Sequence, residues 1–100
     1  MTCSPSTRLL TAEEIGERLA AIDGWSRVEN WIEKEFEFKS FLRAMSFVNA
    51  VAYIAEAMNH HPDINVHYNH VKLMIWTHAV GGITEYDLAL AAGIDAISQK

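Results

Sequence analysis

Residues 41–62 carry one long helical pattern and the signal that ends it. Apolar residues recur at spacings of three and four, as on a helix with one buried face: Phe41, Ala44, Val48, Val51, Ala55 and Met58. Pro62 disfavours helical backbone at the residue before it, so we expect the helix to end near His60. Phe47 and Ile54 widen the apolar face beyond what one sheet surface needs. This width predicts that the helix also meets a partner subunit.

The rest of the sequence predicts two further helices and two hairpins. Ile32 and Phe36 alternate with charged residues, which indicates a strand buried on one face. Capping-box patterns mark the starts of the first and last helices: Thr11 with Glu14 and Thr84 with Asp87. The predicted elements are a helix over 11–23, strands over 25–28 and 31–38, a helix over 40–60, strands over 63–68 and 71–78, and a helix over 84–98. This α-β-β-α-β-β-α order predicts an α+β fold, with three helices on one face of a four-stranded antiparallel sheet.

Length and composition are those of one small folded domain. The chain has 100 residues, of which 50% are hydrophobic. Thirteen acidic and eight basic side chains leave a net charge of −5 without a basic run, so we expect no nucleic-acid partner. No apolar run is long enough to cross a membrane. We expect residues 1–8 to be a flexible lead-in before a single domain over 9–100. With Cys3 as the only cysteine and no signal-peptide pattern, the default location is cytoplasmic.

The end of the long helix carries a candidate acid/base site. Glu56 and His60 are four residues apart and share a helix face. The nearby carboxylate and the helix C-terminus both favour a protonated imidazole at this position. His61 follows in the extended segment that Pro62 imposes. Because histidine exchanges protons in the physiological pH range, the segment predicts acid–base chemistry.

Other interpretations of these residues are open. A zinc site needs three or four ligands, and the adjacent pair His60 and His61 is poorly spaced for one ion, so we expect no metal. Taken singly, Asp87 suits a helix N-terminus and Glu56 suits a solvated helix face. A small acidic interaction domain without chemistry is therefore the alternative when each residue is considered alone.

The joint spacing of the residues is a family signature. Five residues separate Pro62 from Tyr68, nine separate Tyr68 from His78, and eight separate His78 from Asp87. The pattern Glu-x3-His-His-Pro-x5-Tyr-x9-His-x8-Asp resembles the pterin-4a-carbinolamine dehydratases. The likeness extends over residues 9–98. It includes Gly24-Trp25, Phe36-Glu37-Phe38-Lys39-Ser40-Phe41, Tyr68-Asn69 and Thr77-His78.

The resemblance implies a hydro-lyase that converts 4a-hydroxytetrahydropterin to quinonoid dihydropterin and water. The counterparts of His60 and His78 in the family are the catalytic acid and base. The sequence does not say which histidine has which role. Both steps are proton transfers, so we expect no metal and no cofactor, and the pterin is the substrate.

The resemblance implies a binding role for His61, and the positions of Glu56 and Asp87 in the sequence suggest supporting roles around the catalytic pair. His61 is expected to bind and orient the pterin, next to Pro62. Glu56 is expected to hold His60 in position and to favour its charged form. Asp87, at the start of the third helix, is expected to support His78 or the wall of the site.

The expected partners are a small-molecule pterin and further copies of the chain. Family members pair sheet edges across subunits, which implies a homodimer or a homotetramer. Animal members of the family also bind a dimeric homeodomain transcription factor, and related proteins have been tied to molybdopterin metabolism. A non-catalytic protein-binding module and a related pterin activity are therefore the alternative functions.

Overall fold

The computed structural model describes residues 8–98 of the chain. Most of the predicted lead-in over 1–8, with Cys3, lies outside the described residues. The elements are α1 (Ala12–Ala20), β1 (Ser26–Val28), β2 (Trp31–Glu37), α2 (Phe41–Met58), β3 (Asp63–His67), β4 (His70–Ile75) and α3 (Glu85–Ser98). The predicted α-β-β-α-β-β-α order and the α+β class are confirmed.

A single antiparallel sheet has the strand order β1-β2-β4-β3. In the central pair, Ile32 lies opposite Ile75 and Phe36 lies opposite Val71. Alternate side chains of β2 and β4 point into the core, because successive residues of a strand face opposite sides of the sheet. The helices cover this side. Their main core residues are Ile15, Ala44, Phe47, Val51, Leu88, Leu90, Ala91 and Ile94.

The first and last helices begin at the predicted caps. Thr11 accepts a hydrogen bond from the Glu14 backbone N–H at 3.1 Å, and the Glu14 carboxylate accepts one from the Thr11 N–H at 2.9 Å. This reciprocal pair satisfies two N–H groups that a helix start otherwise leaves without partners. At the start of α3, the N–H of Thr84 donates to the Asp87 carboxylate at 2.7 Å.

The long helix α2 begins and ends close to the predicted positions. Ser40 caps it by accepting a hydrogen bond from the Arg43 N–H at 3.1 Å. Asn59 adopts a left-handed conformation with φ of 52°, which ends the helix. The N–H of His60 then bonds back to the carbonyl of Ala55 at 3.0 Å. The chain therefore reverses over the last helical turn and leads into β3.

The apolar face of α2 is covered within the chain more fully than we predicted. Phe47 and Val51 are buried. Ile54 packs against Gly93 of α3, since a Cβ atom at Gly93 would lie 3.6 Å from Cγ2 of Ile54, which is van der Waals contact. Much of the width that predicted a partner subunit is thus explained by α3, which packs against α2. Phe41 is different, because 52% of it is exposed.

No helix in the described range is long and apolar enough to cross a membrane.

The strand predicted over 71–78 ends earlier, at Ile75. The N–H of Thr77 bonds to the carbonyl of Gly82 at 2.8 Å, and the Thr77 carbonyl accepts from the Gly81 N–H at 2.9 Å. These bonds close a tight turn and divert the chain from the sheet. Gly81 has φ of 69°, a left-handed conformation that glycine adopts at little steric cost. The turn carries His78 at the end of the sheet.

Candidate active site

Three predicted site histidines meet in one cavity of about 170 Å³. It is lined by Asn59, His60, His61, Trp76, His78 and Ala79. The first three residues belong to the segment that ends α2, and the others follow β4. The fold therefore brings together two short segments that are separated in sequence by a whole hairpin.

The turn at the end of α2 directs His60 into the protein. Only 5% of His60 is exposed, and its Nε2 lies 2.5 Å from Oδ1 of Asp87. The ring of Tyr86 lies nearby, with a centroid separation of 6.1 Å. Both partners belong to the first turn of α3. The first turn of α3 therefore holds the side chain of His60, which follows the end of α2.

Asp87 is fully buried, and its carboxylate both contacts His60 and accepts a hydrogen bond at the start of α3. Its Oδ2 accepts hydrogen bonds from the Thr84 N–H at 2.7 Å and from the Thr77 hydroxyl at 2.9 Å. These bonds offset the cost of removing the carboxylate from water. We predicted that Asp87 supports His78 or the site wall. The structure pairs it with His60, which lines the cavity, rather than with His78. The reason is that the start of α3 packs against the end of α2.

His61 lies on the outer side of the same turn. Its Nε2 is 2.6 Å from Oε2 of Glu56, and the two side chains are 55% and 76% exposed. We predicted that Glu56 holds His60, from their helical spacing. The structure places Glu56 against His61, because the left-handed residue Asn59 interrupts that spacing. Pro62 adjoins the cavity without lining it, so its role in binding stays a prediction.

His78 packs against an aromatic ring that the sequence analysis missed as part of the site. Its ring centroid lies 4.3 Å from that of Trp76, with 37° between the planes. Trp76 also lies 6.0 Å from Trp31. This tilted contact limits the ring orientations of the exposed His78 and places an aromatic ring beside it. A signal was available, because Trp76 continues the outward-facing alternation of β4 two residues before His78.

A larger depression of about 320 Å³ lies on the outer face of the sheet. Its lining is Glu35, Asn65, His67, His70 and Lys72. The charged groups there are engaged in ion pairs: His70 Nδ1 lies 2.9 Å from Glu35, and Lys72 Nζ lies 3.4 Å from Glu33. This is a solvated polar surface. The smaller cavity, which collects three histidines and a tryptophan, is the better candidate for chemistry.

The arrangement suits proton transfer to and from a flat ligand. One imidazole is held rigidly by a buried carboxylate, and two more exposed imidazoles share the cavity with it. Imidazoles are effective general acids and bases near neutral pH. Within residues 8–98, no group of three or more histidine, cysteine, aspartate or glutamate side chains is arranged to hold a metal ion.

Comparison with known protein sequences points to one family over nearly the whole chain. The family model described as pterin 4 alpha carbinolamine dehydratase matches residues 8–97. A protein of Nitrosospira multiformis, provisionally named as such a dehydratase, is 43% identical over 97 residues, which are 97% of this chain and 86% of that protein. A protein of Chloroflexus aurantiacus with the same provisional name is 49% identical over 88 residues, which are 88% of this chain and 95% of that protein.

Two solved structures are also similar. The crystal structure of a transcriptional coactivator/pterin dehydratase from Brucella melitensis aligns with a TM-score of 0.87 and 38% identity, covering 90% of this chain and 98% of that one. A pterin dehydratase-like protein, identified as a RuBisCO assembly factor in the alpha-carboxysome, aligns with a TM-score of 0.61 and 27% identity, covering 74% of this chain and 86% of that one. The family match, the two relatives and the shared fold confirm the predicted resemblance: the chain belongs to the pterin 4 alpha carbinolamine dehydratase family of hydro-lyases.

Proposed function

We propose that this chain dehydrates a 4a-hydroxytetrahydropterin to the quinonoid dihydropterin. One observation carries the proposal: His60, His61 and His78 line a single cavity next to the flat ring of Trp76. Membership of the family supports the substrate class. The cavity supports the reaction, because it holds the kind of groups that the reaction needs.

The reaction is an elimination of water across the C4a–N5 bond. An acid protonates the C4a hydroxyl, and the C4a–O bond breaks as its electron pair leaves with water. A base removes the N5 proton, and the N–H electron pair becomes the second bond of C4a=N5. No electrons are gained or lost overall. Two groups that exchange protons near neutrality therefore suffice.

We assign the proton transfers to His60 and His78. They reach the cavity from different elements, His60 from the end of α2 and His78 from the turn after β4. Two imidazoles on separate segments can approach a planar ligand from different sides. His61 is assigned to the polar edge of the pterin, since its exposed ring can leave Glu56 to meet a ligand. Trp76 offers a stacking face for the ring system.

We predict that His60→Ala and His78→Ala each lower turnover of a synthetic 4a-hydroxytetrahydropterin by about 10²-fold, as expected for a lost general acid or base. Absorbance of the quinonoid product gives the rate. His67→Ala is the matched control, because it removes an exposed histidine outside the cavity. The wild-type rate should also survive a chelator.

Wild-type turnover in both site variants would refute the assigned mechanism. An activity that a chelator removes and zinc restores, with stoichiometric zinc in the protein, would show that the reaction requires a metal. A folded wild-type protein without turnover would refute the dehydratase proposal itself.

A second candidate function is a protein-binding module without catalysis. The observation that favours it is the structural likeness to a RuBisCO assembly factor, since one fold can carry several functions. The histidine cavity favours catalysis instead. The same turnover assay separates the two functions. Substrates that differ in the pterin side chain test the further alternative of a related pterin activity, as in molybdopterin metabolism.

We also propose that the chain forms a homodimer or homotetramer. Strand β3 stands at one edge of the sheet, and such edges readily pair with another strand. Ile64 on this strand is 38% exposed, and Tyr68 in the adjoining turn is 67% exposed. On α2, Tyr53 is 83% exposed. These apolar surfaces support one contact at the sheet edge and another at the helix.

Light scattering at micromolar concentration tests this assembly. We expect two or four times the mass of one chain, and a lower mass for Ile64→Lys, which places a charge on the edge strand. A wild-type mass equal to that of one chain, with full activity, would refute the proposed assembly.

A further inference from the structure

A chain of buried hydrogen bonds leads to His60 from two threonines that the proposed mechanism does not use. Thr77 and Thr84 are both fully buried. The N–H of Tyr86 donates to Thr84 Oγ1 at 3.2 Å, and the two threonine hydroxyl oxygens lie 2.7 Å apart. Thr77 Oγ1 donates to Oδ2 of Asp87 at 2.9 Å, and Oδ1 of Asp87 lies 2.5 Å from His60 Nε2.

The donors in this chain determine where each proton lies. Oδ2 of Asp87 receives two hydrogen bonds, one from the Thr84 N–H and one from the Thr77 hydroxyl. An ionised carboxylate can only accept hydrogen bonds, and this one already accepts two. The hydrogen between the two hydroxyls therefore belongs to Thr84, since that of Thr77 is already directed at Asp87. By the same reasoning, His60 must supply the hydrogen at Nε2.

Thr77 also connects this network to the second acid/base histidine. Its N–H and carbonyl bond to Gly82 and Gly81, which closes the turn after β4. His78 is the next residue in this turn. A single buried residue thus contacts the carboxylate that orients His60 and holds the backbone that carries His78.

We propose that Thr77 and Thr84 are positioning residues that act through Asp87 to hold His60 as the Nε2–H tautomer. Nδ1 is then the nitrogen that carries the lone pair of the neutral ring, and a change of tautomer would change which ring nitrogen can take up a proton. The kinetic consequence rests on the proposed dehydratase function. The tautomer rests on the hydrogen-bond network alone.

NMR of the full-length, ¹⁵N-labelled protein tests the tautomer without substrate. Two-bond correlations from the carbon-bound ring protons report the ¹⁵N shift of each imidazole nitrogen. At a pH where the ring is neutral, we expect His60 to show a protonated Nε2 and an unprotonated Nδ1. A neutral His60 with its hydrogen on Nδ1 would overturn the proposal, whether or not the protein turns over a pterin.

The variant Thr77→Val tests the coupling, because it replaces the hydroxyl by a methyl group of similar size. We expect a mixture of His60 tautomers and a kcat about tenfold lower, with KM within about twofold of wild type, as for one lost hydrogen bond to a charged group. Thr77→Ser restores the hydroxyl and should restore both readouts. Ile32→Val, a loss of one buried methylene elsewhere in the core, should change neither.

Two outcomes of the variant experiment oppose the proposal. A folded Thr77→Val protein with the wild-type tautomer and kcat would overturn it, as would an Ile32→Val protein with the same defects. If Thr77→Val does not fold, the tautomer of the wild-type ring decides. A wild-type protein without turnover would remove the dehydratase function and leave the NMR result intact as the test of the network.

Discussion

Two adjacent histidines form carboxylate contacts of nearly equal length in opposite environments. His60 Nε2 lies 2.5 Å from Asp87, and His61 Nε2 lies 2.6 Å from Glu56. The side chains of the first pair are 5% and 0% exposed, whereas those of the second are 55% and 76% exposed. Since the distances are so similar, any difference between the two pairs in their contribution to stability must come from their different burial.

Burial changes both the energy and the use of such a contact. An exposed pair typically contributes about 0–1 kcal/mol, because water screens it and two flexible side chains must be ordered. Breaking a buried pair typically costs about 3–5 kcal/mol, because the remaining group is left without a partner away from water. The His60 pair is therefore suited to hold one orientation. The His61 pair can open at low cost when a ligand arrives.

The largest expected effect comes from removing the buried carboxylate. We predict that Asp87→Ala lowers the free energy of unfolding by about 3–5 kcal/mol, since it removes the buried carboxylate that contacts His60 and that accepts the Thr84 N–H at the start of α3. Glu56→Ala should lower it by about 1 kcal/mol or less. Urea unfolding at fixed protein concentration, followed by tryptophan fluorescence, measures both.

Equal losses in the two variants would contradict the comparison, because burial would then make no difference to the energy. Asp87→Asn is a further variant that separates the effect of charge from that of packing. This variant keeps the size of the side chain but loses the negative charge, so a smaller loss than in Asp87→Ala separates packing from charge.

The exposed pair has a smaller and different effect. We predict that His61→Ala raises KM by about tenfold and changes kcat less, since its mobile ring is assigned to substrate binding rather than to proton transfer. Steady-state kinetics measures both constants, with His67→Ala as the control for loss of a surface histidine. A large fall in kcat at unchanged KM would show that the roles of His60 and His61 are reversed.

The smallest expected effect concerns a second exposed contact, between Arg8 and Glu14. Hydrogen bonding from Arg8, and then from Thr11, lowers the pKa of Glu14 from 4.5 to about 2. Between these pH values the folded state binds fewer protons than the unfolded state, so acid favours unfolding. The contribution of this pair is complete above about pH 4.5 and is lost as the pH falls through the folded-state pKa.

We expect Glu14→Gln to remove a small part of the acid dependence of stability, measured by urea unfolding at about pH 3 and pH 7. Glu13→Gln is the matched control, since it changes the preceding glutamate on the same exposed helix. The same loss of acid dependence in both variants would show that general charge, rather than the Arg8 contact, is responsible.

Much of the fold was predictable because its signals are local. The helix caps, the alternation of Ile32 and Phe36, and the spacing along α2 each depend on residues close in sequence. The end of β4 was placed too late, because the alternation of the strand continues past Ile75, whereas the bond between Thr77 and Gly82 that ends the strand forms across the turn. The apolar width of α2 was assigned to a partner subunit because its packing against α3 is a tertiary contact.

The sequence by itself determined the family, the order of the elements and the three histidines of the cavity. Only the tertiary structure decided which carboxylate serves which histidine. Helical spacing pairs Glu56 with His60, but a single left-handed residue at Asn59 directs His60 inward to Asp87 and brings His61 over Glu56. The turn at Asn59 changes which carboxylate each histidine meets, because the direction of a side chain follows the local backbone. The carboxylate that His60 meets then depends on where α3 packs.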